Sequence, residues 1–155
     1  MSTITPFLWF DKNLKEITDF YISVFPDTRL TSGGELSDTP SGTVEIVTLE
    51  ILGQKLQLMT AGPLFTFNEA ISFVISCKDQ AEIDYYWGKL SASGGSEGQC
   101  GWLKDRYGLS WQVVPEAMEQ MMSTGTPEQI GRVTKAFMSM QKFDVALLEQ
   151  AFKEN

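Results

Sequence analysis

Apolar and polar positions along this chain follow two rhythms, one of strands and one of helices, and the same order of rhythms runs twice. The first apolar run, PFLWF at 6–10, is short and aromatic, as a strand would be. Asn13 then offers a helix N-cap, and Leu14, Ile17, Phe20, Tyr21 and Val24 form one apolar stripe that ends before Pro26. Residues 28–42 read as a possible short strand mixed with a Gly/Ser/Pro-rich loop. TVEIVTLEIL at 43–52 is β-branched and alternating, Gly53-Gln54 signals a turn, and KLQLMT at 55–60 returns as the second arm of a hairpin. AGPLFTFNE at 61–69 reads as a connector.

The order then restarts. AISFVISC at 70–77 predicts a strand, and Asp79 with Glu82 resembles a capping box. Ile83, Tyr86, Trp87 and Leu90 make the helical stripe, and Gly94-Gly95 closes it. A strand around QCGWLKD (99–105), a turn at Arg106-Tyr107-Gly108 and a last strand LSWQVV (109–114) complete the second pass.

The two passes superimpose. Thr18-Asp19-Phe20-Tyr21 matches Asp84-Tyr85-Tyr86-Trp87 at an offset of 66, and turn glycine Gly53 matches Gly108 at an offset of 55. The longer loop of the first half absorbs the difference. The pattern predicts an α+β fold of two βαβββ-like modules in tandem. A helical extension follows. Pro115 can open a helix at N1 with Met118, Met121 and Met122 on one face; Thr126-Pro127 caps another through Ile130, Val133, Phe137 and Met138; and Phe143-Asp144 starts a third through Val145, Leu148 and Phe152. Methionines so placed fill a core or an interface, or make a pliable binding surface.

Composition narrows the function classes. A chain of 155 residues with 43% hydrophobic and 21% charged residues can bury a sizeable core. Its net charge of −8 disfavours nucleic acid and anionic membrane as partners. Cys77 and Cys100 form no CxxC pair, MSTITPFLWFDKN lacks a basic n-region, and no run approaches a membrane span. These features predict a cytoplasmic protein with reduced thiols. Asp11, Glu45, Glu69, Asp105 and Tyr107 are the acid–base candidates, but Glu69 and Asp105 read first as a strand-end or turn hydrogen-bond acceptor and a turn-initiating Asp. No Ser or Cys has an activating histidine, because the chain has no histidine.

The stretches FLWFDKNLKEITDFYISVFPDTRL, FNEAISFVISC, QAEIDYYWGKL and CGWLKDRYGLSWQVVP together resemble the PhnB-like family. That family carries the label 3-demethylubiquinone-9 3-methyltransferase and lies in the vicinal-oxygen-chelate superfamily of glyoxalase, bleomycin-resistance and dioxygenase proteins. The resemblance implies one domain, with a first βαβββ module at 1–62, a second at 63–115 and C-terminal helices at 116–155, and a homodimer. In metal-using relatives the ligands lie near the start of each module's first strand and on its last strand. Carried over, these positions fall at about Phe7 and Ala70 and at Gln57 and Gln112, each glutamine four residues after its turn glycine. The repeat predicts that the two glutamines face one cleft.

Phenylalanine, alanine and two neutral amides gain too little Coulombic attraction to strip water from a divalent cation, so no metal and no cofactor are expected. Only a shifted site using Glu45, Glu50 or Glu69 would alter that. Methyl transfer from S-adenosylmethionine is also unsupported, since the chain has no GxGxxG and its order does not suit a doubly wound fold. What remains is an apolar, aromatic-walled surface carrying Phe7, Trp9, Gln57, Met59, Ser72, Trp102 and Gln112, joined by Ala70, Val74 and Val114. Such a surface suits a small, planar or aromatic organic ligand. Trp9 and Trp102 read equally as pocket wall or core. The competing readings are a superfamily lyase, isomerase or methyltransferase at the same place, and a plain dimerisation module.

Overall fold

The computed structural model describes residues 2–154. It divides into two compact units, Met1–Thr66 and Phe67–Asn155. In the first, β1 (Phe7–Phe10) and α1 (Leu14–Val24) are followed by β2 (Arg29–Thr39), β3 (Gly42–Ile51) and β4 (Gln54–Thr60). The strands form one sheet in the order β1-β4-β3-β2, with β1 parallel to β4 and the other pairs antiparallel. The second unit repeats this wiring. β5 (Phe73–Cys77), α2 (Gln80–Ser91), β6 (Ser96–Glu97), β7 (Trp102–Lys104) and β8 (Ser110–Pro115) give the order β5-β8-β7-β6, again with one parallel pair. β5 and α2 begin at Phe73 and Gln80, 66 residues after Phe7 and Leu14, where β1 and α1 begin. Each unit is therefore a βαβββ module, and the expected α+β repeat is present.

Period-two alternation explains which face each sheet buries. Leu8, Phe10, Leu49, Leu56 and Leu58 are buried with Ile17, Tyr21 and Val24 of α1. In the second unit Ile75, Cys77, Trp111 and Val113 are buried with Ile83, Trp87 and Leu90 of α2. Fully burying such side chains stabilises by about 1.5–3 kcal/mol each, enough to fix which face of each strand turns towards its helix.

Three details differ from the sequence reading. Most of the segment 28–42 is an 11-residue strand, β2, exposed along nearly its whole length. It lies on β3 with bulges between Leu30 and Ser32 and between Leu36 and Thr39. Backbone bonds to β3 hold it, so its poor strand composition misled. Asn13 stands at the α1 N-cap with φ 63° and makes no side-chain cap bond. The β3–β4 turn is Leu52-Gly53, both at positive φ, rather than Gly53-Gln54.

The tail folds as α3 (Glu116–Thr124), α4 (Pro127–Phe137) and α5 (Val145–Lys153), within the second unit. Pro115 ends β8 and is the N-cap of α3 rather than its first turn, so strand runs straight into helix. Thr126 and Gln129 form a complete capping box on α4, and Asp144 caps α5. Met121, Val133, Phe143 and Leu148 build a separate core with Val114 of β8, and Met118 and Met122 pack against it. Among the described residues no helix is long and apolar enough to cross a membrane.

Candidate functional site

Each module covers one face of its sheet with a helix, and the opposite face is where the candidate residues fall. In the first unit Leu8 and Phe10 point to the α1 side, so Phe7 and Trp9 take the other. Phe7 pairs with Gln57 and Trp9 with Met59 in the parallel β1–β4 ladder. β3 adds Thr48 beside Gln57 and Ile46 beside Met59. All four predicted residues of this module, Phe7, Trp9, Gln57 and Met59, thus share one face. Trp9 is neither a bare wall nor helix-side core. Its indole N–H donates to the Gly62 carbonyl at 2.8 Å, and its ring meets Phe65 edge-on at 5.0 Å.

In the second unit Gln112 pairs with Val74 of β5 and with Trp102 of β7. The first-strand position beside the glutamine is therefore Val74, not Ala70. AISFVISC extends only from Phe73, because the Asn68 carboxamide oxygen accepts the Ala70 N–H at 2.9 Å and turns the chain there. Ser72 lies just before β5, yet its hydroxyl oxygen accepts the Gln112 amide N–H at 2.9 Å, which fixes the amide. Trp102 is half-buried beside it. Val114 does not share an open surface. The tail helices bury it in their own core.

The carboxylates separate into structural and surface groups. Asp105 is 2% exposed; its oxygens accept the Tyr107 N–H at 2.9 Å, the Leu109 N–H at 3.2 Å and the Trp111 indole N–H at 2.9 Å. It is the organiser of the 105–109 loop. Glu69 is held by an ion pair with Lys104, whose ammonium lowers the Glu69 pKa. Cys77 is buried beneath α2, and desolvation, reinforced by Glu82, Asp79 and Glu116, pushes its thiol up to about 12.

A feature missed at the sequence level adjoins this face. Ser110 pairs with Lys104 across β7–β8 and is buried, its hydroxyl without a hydrogen-bond partner among the described residues. The signal was present, since Ser110 precedes Gln112 by two on one strand and must share its side.

These two modules, with their strand order and one helix packed on each sheet, define the fold of the vicinal-oxygen-chelate, or glyoxalase/bleomycin-resistance/dioxygenase, superfamily. Residues 2–114 match the family described as 3-demethylubiquinone-9 3-methyltransferase, and the chain belongs to that PhnB-like family. Among curated proteins none matches in sequence. The chain is similar to a putative 3-demethylubiquinone-9 3-methyltransferase, PhnB protein, from Bacillus cereus, with 27% identity over 74% of this chain and 99% of that one and a TM-score of 0.64. Protein PA1353 from Pseudomonas aeruginosa gives 21% identity, 75% and 98% coverage and a TM-score of 0.61. A fosfomycin resistance protein FosX from Listeria monocytogenes, complexed with Mn(II) and 1S,2S-dihydroxypropylphosphonic acid, gives 16% identity, 79% and 98% coverage and a TM-score of 0.57.

The manganese of that FosX complex invites a test of the donor set here. The register places Phe7 beside Gln57 and Val74 beside Gln112. Hydrocarbon and neutral amides do not fit a divalent cation. Among the described residues no three of His, Cys, Asp and Glu come together as a metal cluster.

Proposed function

We propose that this PhnB-like protein binds a small organic ligand, without a metal, on the sheet faces opposite α1 and α2. The observation that carries the reading is that Phe7, Trp9, Gln57 and Met59 fall on one face of the first sheet, opposite α1. Aromatic and thioether groups would embrace an apolar ring, and an amide would orient it. In the second unit, Gln112 tied to Ser72 and flanked by Trp102 offers the same chemistry. The protein acts as a cytoplasmic homodimer, and exposed Leu30 and Leu36 on the edge strand β2 supply apolar surface for a second copy.

Methyl transfer does not suit either unit. Each sheet is a four-stranded mixed sheet with one parallel pair, not the doubly wound parallel sheet that presents a glycine-rich loop to a nucleotide. S-adenosylmethionine titrated calorimetrically should give no binding heat. Metal analysis of the purified protein should find no stoichiometric manganese, iron, nickel or zinc, and finding one would overturn the metal-free reading. A panel of mono- and bicyclic aromatic acids and quinones should quench tryptophan fluorescence, and Gln57→Ala or Gln112→Ala should weaken that quenching about tenfold, equivalent to about 1.4 kcal/mol. Quenching indifferent to both substitutions would remove these faces as the site.

A further inference from the structure

The second unit holds a pocket of about 230 Å3 lined by Glu69, Ser96, Glu97, Trp102, Lys104 and Ser110. Ser110 is 1% exposed, and its hydroxyl has no hydrogen-bond partner among the described residues. Buried hydroxyls are nearly always partnered, so an orphan lining a pocket points to a group that arrives from outside. Lys104, paired with Ser110 in the β7–β8 ladder, carries the pocket's ammonium, which the Glu69 carboxylate engages. Glu97 pairs with the buried Leu103, and its carboxylate accepts the Trp87 indole N–H at 2.8 Å, so it turns towards α2 and away from Lys104. Trp102 adds an aromatic surface.

The charges select the ligand. A simple anion attracted to Lys104 meets the Glu69 carboxylate, and a simple cation attracted to that carboxylate meets Lys104. A molecule bearing both charges on groups attached to one carbon satisfies both. Its carboxylate would take Lys104 and the Ser110 hydroxyl proton, and its ammonium would take Glu69 and the Trp102 ring. Opening the Lys104–Glu69 pair costs little, because both side chains are substantially exposed, at 37% and 63%. We infer that this pocket binds a small zwitterion, a free α-amino acid with a short side chain. The size of the pocket, below the usual range for drug-sized ligands, sets the limit on that side chain. The inference shares Trp102 with the ligand face proposed above and rests on that reading to that extent. It is otherwise confined to the second unit.

The test is a backbone amide titration by NMR with glycine, L-alanine, L-serine and L-threonine, and with propionate and propylamine as single-charge controls. At least one amino acid should saturate shifts at Trp102, Lys104 and Ser110 by about 10 mM, with each single-charge control at least about tenfold weaker. Lys104→Gln and Ser110→Ala should each weaken the amino acid about tenfold or more. Ser110→Ala without ligand should melt no lower than the parent, because the hydroxyl has no internal partner to lose. No saturable shift with any of the four amino acids, equal binding of propionate, or unchanged binding in Ser110→Ala would each overturn the inference. Failure here stays distinguishable from failure of the broader reading, whose aromatic quenching is also read through Gln57→Ala in the first unit.

Discussion

At the scale of single residues, burial decides which reactive groups can react. Cys77 sits beneath α2 with its thiol pushed up to about 12, chiefly by desolvation. A thiolate is the reactive form, so this cysteine is inert at neutral pH. Cys100 is only half-buried, its sulfur 3.8 Å from the Met138 sulfur. Iodoacetamide at pH 8 should therefore label Cys100 alone in the folded protein, and both cysteines after denaturation; mass spectrometry of the peptides reads the outcome, and modification of native Cys77 would contradict it. Glutamines follow the same logic of environment. Gln112 is fixed by Ser72 in the fold. Its position four residues beyond a turn glycine was readable in the sequence, but its partner was not, because Ser72 is 40 residues distant and precedes its own strand.

At the scale of elements, turns and close approaches carry the strain. Leu52 occupies a two-residue hairpin turn at φ 48°, a left-handed conformation that costs a leucine roughly 1 kcal/mol and suits Asn-Gly. Leu52 is also 58% exposed, so its side chain has little packing to lose. Leu52→Asn should stabilise by about 0.5–1 kcal/mol, seen as a higher midpoint in urea with an unchanged slope. Gly101 shows the opposite case. It adopts φ 77°, and a Cβ there would lie 2.4 Å from the Phe143 ring and 2.9 Å from the Val113 carbonyl oxygen. Phe143 belongs to the tail core, and the Gln80 side chain clamps the same segment, donating to the Phe143 carbonyl at 3.0 Å and accepting the Val145 N–H at 2.9 Å. Gly101→Ala should destabilise by about 2–4 kcal/mol and loosen α5 first, which faster hydrogen exchange at Leu148 would report. Equal exchange in the two proteins would show that the tail does not depend on this contact.

At the scale of the whole molecule, the charge inventory sets the pH response. The chain lacks histidine, so no side chain of ordinary pKa titrates between about pH 5.5 and 8. Glu69, Glu82, Asp84 and Glu128 all have lowered pKa values, the first and third mainly through the ammonium groups of Lys104 and Lys142, and Glu82 mainly through the Lys78 N–H. A lowered carboxylate adds stability that is complete above its unfolded pKa and vanishes as pH falls through the folded one. Cys77 is raised, so its contribution is complete below the unfolded thiol value and is lost as pH climbs towards 12. Thermal melts should give a plateau from about pH 6 to 8, a fall below about pH 4.5 and a second fall above about pH 8.5. A step near pH 6.5 would contradict this. The net charge of −8 at neutrality adds self-repulsion that spreads over the surface and leaves the plateau flat.

The sequence by itself determined the repeat, because helix stripes such as Leu14–Ile17–Tyr21 and Ile83–Trp87–Leu90 and alternating strands such as KLQLMT encode which face is buried, and burial is the dominant local signal. It also determined that the last strands carry neutral amides, Gln57 and Gln112, rather than charged donors, since residue type alone decides that chemistry. Tertiary structure decided the rest. The edge strand β2 exists because β3 offers it a backbone ladder, not because of its own side chains. Val114 left the candidate face because three tail helices came to cover it. Val74 rather than Ala70 stands beside Gln112 because a side-chain bond from Asn68 delayed the start of β5. Lys104, Glu69 and the orphaned Ser110 hydroxyl became a pocket only when ladder and connector met. Contacts of this kind join residues far apart in the chain, and no local periodicity records them.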